Sequence, residues 1–204
     1  MKCLTFTTKV FLYFYGMTTK VRQAEKNVVF YITITCHNWM PLFETANCYD
    51  TVYNWFDVLK KNKNKVVSYV LMPNHFHALI HVDKDSDEIN KLVANGKRFM
   101  AYDVVKHLKE NGLHEVLFLL EEGVQPGESV KGKLHQIFEP SFDCKPCYDK
   151  KFLEQKLDYI HRNPCSGKWN LADEFTDYKH SSAAFYELDA EGGYFLDDYR
   201  LMVW

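Results

Sequence analysis

The stretch Met72–Leu79, with the sequence MPNHFHAL, decides the fold. After the turn-forming pair Pro73-Asn74, it is typical of a β-strand in which two histidines stand two positions apart. Successive side chains on a strand point to opposite faces, so His75 and His77 share one face of the predicted sheet. Two imidazoles presented in parallel can bind one divalent cation. A histidine pair alone is more often structural, so the metal hypothesis needs support from elsewhere in the chain.

That support comes from a second segment, DYIHRNP at 158–164. The run from Tyr148 to Asn163 has apolar residues near a 3.6-residue period and is followed by a proline, so it is predicted to be a helix. Tyr159 and Asn163 stand four residues apart and therefore lie on one face of that helix. A phenol and an amide oxygen facing the histidine pair would supply a nucleophile and a third metal ligand.

Three motifs together carry a family resemblance: MPNHFHALI at 72–80, YIHRNP at 159–164 and YKHSSAAFY at 178–186. In this order they resemble the REP-associated tyrosine transposases, a branch of the single-tyrosine HUH (His-hydrophobe-His) transposases. The resemblance covers about residues 28–186, and the ordered set is more specific than any one motif.

The resemblance implies a role for each of four residues. His75 and His77 would bind Mg²⁺ or Mn²⁺, and Asn163 would complete the ligand set. Tyr159 would attack a phosphodiester of single-stranded or hairpin DNA, forming a covalent 5′-phosphotyrosine and a free 3′-hydroxyl. Such an intermediate keeps the energy of the broken bond, so strands can be rejoined without ATP.

The remaining elements are predicted from periodicity and turn signals. Strands are expected at 28–36, 66–72, 75–82 and 133–138. Helices are expected at 49–61, from Ser86 or Asp87 to Glu110, and at 148–163, with a loop over 123–132. This βαββαβα order predicts a ferredoxin-like α+β fold, an antiparallel sheet with helices packed on one face. Because that fold carries many functions, it does not by itself predict an activity.

The chain is expected to contain one transposase-like domain, 28–186, between an N-terminal extension, 1–27, and a C-terminal tail, 187–204. The first sixteen residues mimic a short targeting segment, but their apolar run is too short to span a bilayer, so no membrane association is expected. Monomer and homodimer both stay open, because the loop Asn111–Gly132, which would set the position of the tyrosine helix, is compatible with either.

Composition favours a globular protein: the 204 residues are 47% hydrophobic. The formal net charge of −2 counts mildly against a general DNA-binding protein. The acidic stretch 113–132 resembles an insertion and would weaken phosphate contacts if it lay near DNA. A local basic patch could still bind DNA; its candidate residues are Lys60, Lys61, Lys63, Lys65, Lys97 and Arg98.

The other chemically reactive residues are predicted to have structural roles. Cys144 and Cys147 have CxxC spacing without a second pair, so the six cysteines are predicted to be free thiols in a reducing cytoplasm. His161, two residues after the tyrosine, should point away from the site and is not predicted to be a ligand. The serines of the third motif, Ser181 and Ser182, are expected to bond the backbone.

Three functions from different classes stay open. The first is a metal-dependent endonuclease and strand transferase acting at DNA hairpins. The second is a domesticated hairpin-binding protein with little or no cleavage, favoured by the near-neutral charge. The third is a metal-dependent hydrolase with water as nucleophile, which would need further Asp, Glu or His ligands.

Overall fold

The structure is a computed structural model that describes residues 22–130, 132–167, 169–190 and 193–202. The targeting-like first sixteen residues and Cys3 therefore lie outside the described residues. The strands are β1 (Val28–Thr35), β2 (Lys65–Leu71), β3 (His75–Val82) and β4 (Asp143–Cys147). The helices are α1 (Leu42–Thr45), α2 (Asp50–Lys61), α3 (Ile89–Glu110), α4 (His114–Glu122), α5 (Pro126–Ser129), α6 (Lys150–Arg162) and α7 (Ala183–Leu188). Single 3-10 turns lie at His37–Trp39, Asn163–Cys165, Phe175–Asp177 and Tyr199–Leu201.

The four strands form one sheet in the order β2-β3-β1-β4, and every neighbouring pair is antiparallel. The predicted turn at Pro73-Asn74 joins β2 to β3, where the Met72 amide donates to the His75 carbonyl at 2.8 Å. A bulge at Val67 puts two residues of β2 opposite one residue of β3, and so redirects the side chains that follow. The predicted α+β fold with an antiparallel sheet is confirmed.

Helices cover both faces of the sheet. α2 and α3 pack on one face, as predicted, through a core that includes Phe30, Ile32, Phe56, Phe76 and Met100. α6 departs from the predicted one-face arrangement and packs on the opposite face, where Leu153, Leu157 and Ile160 contact Val29, Val70 and Leu79. The reason lies in β3, which is buried at every position except the half-buried His81. A strand that is buried on both faces needs a covering layer on each side.

The prediction of a strand at 133–138 is wrong. Within that segment only Phe138 pairs with a strand-like neighbour, through an isolated bridge to Cys36. The Gln136 amide instead donates to the Leu120 carbonyl at the end of α4, at 2.8 Å. The fourth strand is the later segment Asp143–Cys147, which pairs with β1 at the edge of the sheet. The segment contains a proline and has low β-propensity, so its sequence does not predict a strand. The proline is tolerated because the strand lies at the edge of the sheet.

The acidic stretch 113–132 is largely helical. α4 and α5 fall within it, and Leu117 and Leu120 of α4 are buried in the core that α3 helps to form. The prediction of a loop here is therefore wrong, because the glutamates concealed an amphipathic helix. At the start of α3, neither Ser86 nor Asp87 is the cap: Glu88 precedes the helix without a side-chain capping bond.

The prediction of free thiols is confirmed for the described cysteines. Five cysteines are described, and all five are free thiols: Cys36, Cys48, Cys144, Cys147 and Cys165. Cys144 packs toward the α2–α3 side of β4 and Cys147 toward α6, so the CxxC pair cannot hold one metal ion. In the described part of the chain, no helix has both the length and the apolar character to cross a membrane.

Candidate active site

The two histidines of β3 lie side by side on the sheet face that α6 covers. Both are buried, with His75 7% and His77 4% exposed. Their ring centroids are 4.8 Å apart and their planes are nearly perpendicular, at 80°. The alternation of β3 thus brings both imidazoles into one place, as predicted.

Helix α6 brings the tyrosine and the asparagine to this pair. The Asp149 carboxylate caps the helix by accepting the Phe152 amide at 2.8 Å, and its apolar face packs on the sheet. Asn163, at the C-terminal end, has its Nδ2 3.3 Å from His77 Nε2, and its side chain also raises the pKa of the neighbouring His75. The Tyr159 ring centroid is 5.3 Å from that of His77, and the tyrosine is half exposed. The four predicted site residues therefore meet, although their roles stay predictions.

The protonation state of His75 follows from its neighbour Asn74. The Asn74 Nδ2 donates to the Trp39 carbonyl at 3.1 Å, so its Oδ1 is the atom that faces His75 Nδ1 at 2.7 Å. An amide oxygen can only accept, and His75 Nδ1 must therefore carry the proton. The lone pair of His75 is then on Nε2, the atom that metals take when Nδ1 is held by a second-shell partner.

His77 has a comparable support on its Nδ1 side. That atom lies 2.9 Å from the Tyr31 hydroxyl and 2.8 Å from the Thr33 hydroxyl. The two hydroxyls are also bonded to each other, at 3.2 Å, and the Tyr31 ring stacks on the imidazole with centroids 5.6 Å apart. A protonated Nδ1 can donate to both oxygens, which would leave the His77 Nε2 lone pair facing Asn163.

Burial keeps both histidines neutral. It lowers the pKa of His75 to about 4, against an opposing effect of the Asn163 side chain, which can accept a hydrogen bond from the imidazolium. It lowers the pKa of His77 well below its ordinary value, and repulsion from His75 and Lys156 adds to this. Neutral imidazole is the form that binds metals, so the pair is competent as ligands at pH 7.

Two lysines place positive charge beside Tyr31, at one side of the site. Lys156, one helical turn before Tyr159, has its Nζ 4.9 Å from the Tyr31 ring centroid and 5.9 Å from that of Tyr159. Lys145 of β4 pairs with Tyr31 across the strands and faces the same side. Burial lowers the pKa of Lys156, and the nearby Lys145 adds to the effect. The residues predicted to form a basic patch lie elsewhere: Lys60 and Lys61 end α2, Lys63 is in the turn that follows, Lys65 begins β2, and Lys97 and Arg98 lie on α3.

Sequence reasoning missed Tyr31, Thr33 and Lys156. The first two were detectable in principle, because they alternate along a predicted strand. The cross-strand register that sets Thr33 opposite His77 is what gives them a role, and it is not readable from either strand alone. Lys156 stands one helical turn before the tyrosine, at a spacing that places both on one helix face.

His161 and the serine motif anchor the tyrosine helix. The His161 Nε2 lies 2.9 Å from the Ser182 hydroxyl, which is 2.8 Å from the Ser68 hydroxyl. The Ser182 oxygen also accepts the Tyr69 amide at 3.1 Å. His161 is therefore turned away from the histidine pair, and the serine bonds backbone, as the sequence indicated.

No family model matches the chain, and no curated protein sequence matches it. The fold and the site define a ferredoxin-like α+β protein in which a histidine pair faces a tyrosine-bearing helix. Among solved structures, that fold is the fold of a REP-associated tyrosine transposase bound to a REP hairpin, with a TM-score of 0.59. The match covers 86% of this chain and 92% of the other at 16% sequence identity, so the resemblance is confirmed as one of fold. A provisionally named transposase from Deinococcus radiodurans, at a TM-score of 0.39 and 17% identity over 70% of this chain and 95% of that one, adds no weight.

Proposed function

We propose that the protein is a metal-dependent single-stranded DNA endonuclease and strand transferase that acts at hairpin-associated sites. Tyr159 is the nucleophile, and His75, His77 and Asn163 hold Mg²⁺ or Mn²⁺. One observation carries the proposal: the Asn163 Nδ2 lies 3.3 Å from His77 Nε2, and Tyr159, one helical turn earlier, packs against the His77 ring. The helix and the strand that supply these groups come from distant parts of the sequence.

The donor set fits a divalent cation of this kind. Two neutral imidazole nitrogens and one amide suit Mn²⁺, and an incomplete protein ligand set leaves room for water and phosphate oxygens, as Mg²⁺ sites require. Among the residues that the structure describes, no group of three or more His, Cys, Asp or Glu side chains could hold a metal. That finding disfavours the hydrolase alternative, which needs further ligands of those types.

The reaction is an in-line transfer of a phosphoryl group. A bound cation would neutralise charge on the scissile phosphate. The Tyr159 oxygen forms a bond to phosphorus and loses its proton, while the bond from phosphorus to the 3′-oxygen breaks and the leaving alkoxide takes up a proton. An ordinary phenol has a pKa of about 10, so the reaction needs a positive neighbour that favours the phenolate. The Lys156 ammonium, 5.9 Å from the Tyr159 ring centroid, supplies one such charge.

The DNA partner is proposed from the fold. The REP-associated transposase of the same fold is bound to a REP hairpin. A hairpin presents both a duplex to grip and unpaired bases that expose their edges and faces. The half-exposed Tyr159 and the two lysines beside Tyr31 give a nucleic-acid backbone access to the nucleophile.

The test is incubation with labelled hairpin DNA and Mn²⁺, followed by denaturing electrophoresis. We expect a slowed protein–DNA band that Tyr159→Phe abolishes. Tyr148→Phe is the matched control, because Tyr148 is also exposed but bonds Glu25 just before α6 begins. Cut DNA without an attached protein would exclude a tyrosine nucleophile.

A second candidate is a domesticated hairpin-binding protein that does not cut. The net charge of −2 favours it, because a strand transferase must hold several phosphates. Tight hairpin binding without any covalent band, in Mg²⁺ and in Mn²⁺, would establish this alternative.

A further inference from the structure

Trp39 is a large aromatic side chain left in solvent at the edge of the candidate site. It is 52% exposed, and its ring lies edge-on to the imidazole of His75 with centroids 5.5 Å apart. A tryptophan whose surface is half in water contributes less to the core than its size allows. Its position beside His75 places it in reach of a ligand bound at the candidate site.

The backbone at this point is held in an unfavourable conformation. Asn38 and Trp39 have φ angles of 49° and 57°, so two successive residues other than glycine occupy the left-handed region. Strain of this kind persists where surrounding bonds enforce it and is concentrated at functional sites. Here the Asn38 amide donates to the Glu139 carboxylate at 2.7 Å, and the Trp39 amide donates to the Cys36 carbonyl at 3.1 Å.

One side chain ties this strained turn to the proposed metal ligand. Asn74 donates to the Trp39 carbonyl and accepts from His75 Nδ1. The Trp39 backbone is therefore held by the same amide that orients the imidazole, and the indole itself contacts the His75 ring. Together these contacts place the indole beside the proposed metal ligand.

The indole and the two lysines stand at opposite ends of the histidine pair. Trp39 contacts the ring of His75. On β1, Thr33 pairs with His77, and Tyr31 lies two residues further from His75 along the strand pair. Lys145 and Lys156 lie beside Tyr31. A DNA strand crossing the pair would thus meet an aromatic face at one end and positive charge at the other. Aromatic faces and basic grooves are the two elements that bind single-stranded nucleic acid.

We propose that Trp39 is a stacking platform for one unpaired nucleobase beside the scissile phosphate. The inference rests on the proposed function, since it names how the DNA of that reaction is held. Stacked nucleotides rise by roughly 3.4 Å, so an indole this close to His75 would reach a base within about two nucleotides of the phosphate. Stacking needs no particular base, and the site therefore fixes the position of the strand more than its sequence.

The test is an abasic scan of a labelled hairpin oligonucleotide that has unpaired tails on both sides. Affinity is measured by fluorescence anisotropy in EDTA, so that no cleavage occurs, for the wild type, Trp39→Ala, Trp39→Phe and Phe99→Ala. Phe99 is the matched control, because it is 58% exposed on α3, on the opposite side of the sheet. We expect Trp39→Ala to weaken binding about 5- to 100-fold, and Trp39→Phe to restore most of the affinity.

The position of the abasic site gives the decisive result. The wild type should lose affinity when one particular unpaired base near the cut is removed, and Trp39→Ala should show no further loss there. The same abasic profile for both proteins, or an equal loss in Phe99→Ala, would overturn the proposal. Adduct formation with Mn²⁺ is measured separately: its absence in the wild type would refute the nuclease function, while the abasic profile still decides the stacking site.

Discussion

The two hydroxyls that face His77 Nδ1 lead to a prediction about redundancy. Tyr31→Phe and Thr33→Val each remove one oxygen while nearly conserving volume. In either single variant, the buried imidazole N–H keeps one acceptor at 2.8 or 2.9 Å. Each single change should therefore weaken Mn²⁺ binding by about 0.4 kcal/mol or less, which is about twofold.

The double variant should lose more Mn²⁺ affinity than the two single variants lose together. With both oxygens gone, the buried N–H has no acceptor, and leaving such a group unsatisfied costs about 1–3 kcal/mol. Loss of the partner that orients a ligating histidine typically weakens metal binding about 10- to 100-fold. We expect the double variant to fall in this range, with a coupling energy that exceeds 0.5 kcal/mol in magnitude, which is about the limit of additivity.

The assay is calorimetric titration with Mn²⁺, together with thermal unfolding without metal. Tyr186→Phe is the control: it removes a hydroxyl that donates to the Val67 carbonyl at 2.7 Å, so it should lower stability without changing Mn²⁺ affinity. A single variant that loses as much Mn²⁺ affinity as the double variant, or a double variant that binds Mn²⁺ like the wild type, would show that the two hydroxyls are not redundant supports of His77.

The remaining predictions concern charge, pH, packing and metal removal. Lys156→Met should slow adduct formation about tenfold, because it removes the ammonium beside the Tyr159 ring, and the exposed Lys151→Met should not; a gel time course compares them. Burial lowers the pKa of His161 to about 4, so the unfolded state binds more protons between that value and about 6.5, and the free energy of unfolding falls as pH decreases through this window. His161→Gln should reduce this decrease in the free energy of unfolding by up to about 3 kcal/mol, as measured by urea titrations at neutral and at acidic pH. The same pH dependence in the variant and the wild type would contradict the argument from burial. Gly96→Ala would put a Cβ 2.4 Å from the Trp55 indole and should cost about 1–3 kcal/mol of stability in denaturant unfolding, with wild-type stability as the contrary result. Excess EDTA should abolish the covalent band and leave the thermal unfolding temperature at its metal-free value; a band that survives EDTA would exclude a metal role.

Local signals were enough to predict the centre of the molecule. The Pro73-Asn74 turn fixes the β2–β3 hairpin, and the alternation of β3 puts His75 and His77 on one face. The helical period of α6 does the same for Tyr159 and Asn163. Each of these depends on neighbours within a few residues, which a sequence shows directly.

Features that depend on distant partners could not be predicted in the same way. β4 is a strand because β1 offers it an edge, and its sequence DCKPC has little β-propensity of its own. The helix α4 was concealed by its exposed glutamates, and the left-handed backbone at Asn38 and Trp39 is enforced by bonds to residues far along the chain, among them Glu139. Tertiary contacts, rather than local preference, decide these elements.

The central claim, that Tyr159 becomes joined to DNA, is tested most directly by mass spectrometry of the adduct. Trypsin cuts after Lys156 and Arg162, so Tyr159 falls alone in the short peptide LDYIHR, residues 157–162, which contains no other tyrosine. After reaction with hairpin DNA and Mn²⁺ and nuclease trimming, this peptide should carry a nucleotide through a 5′-phosphate on the tyrosine. A nucleotide on any other peptide, or cleaved DNA with LDYIHR unmodified, would contradict the account.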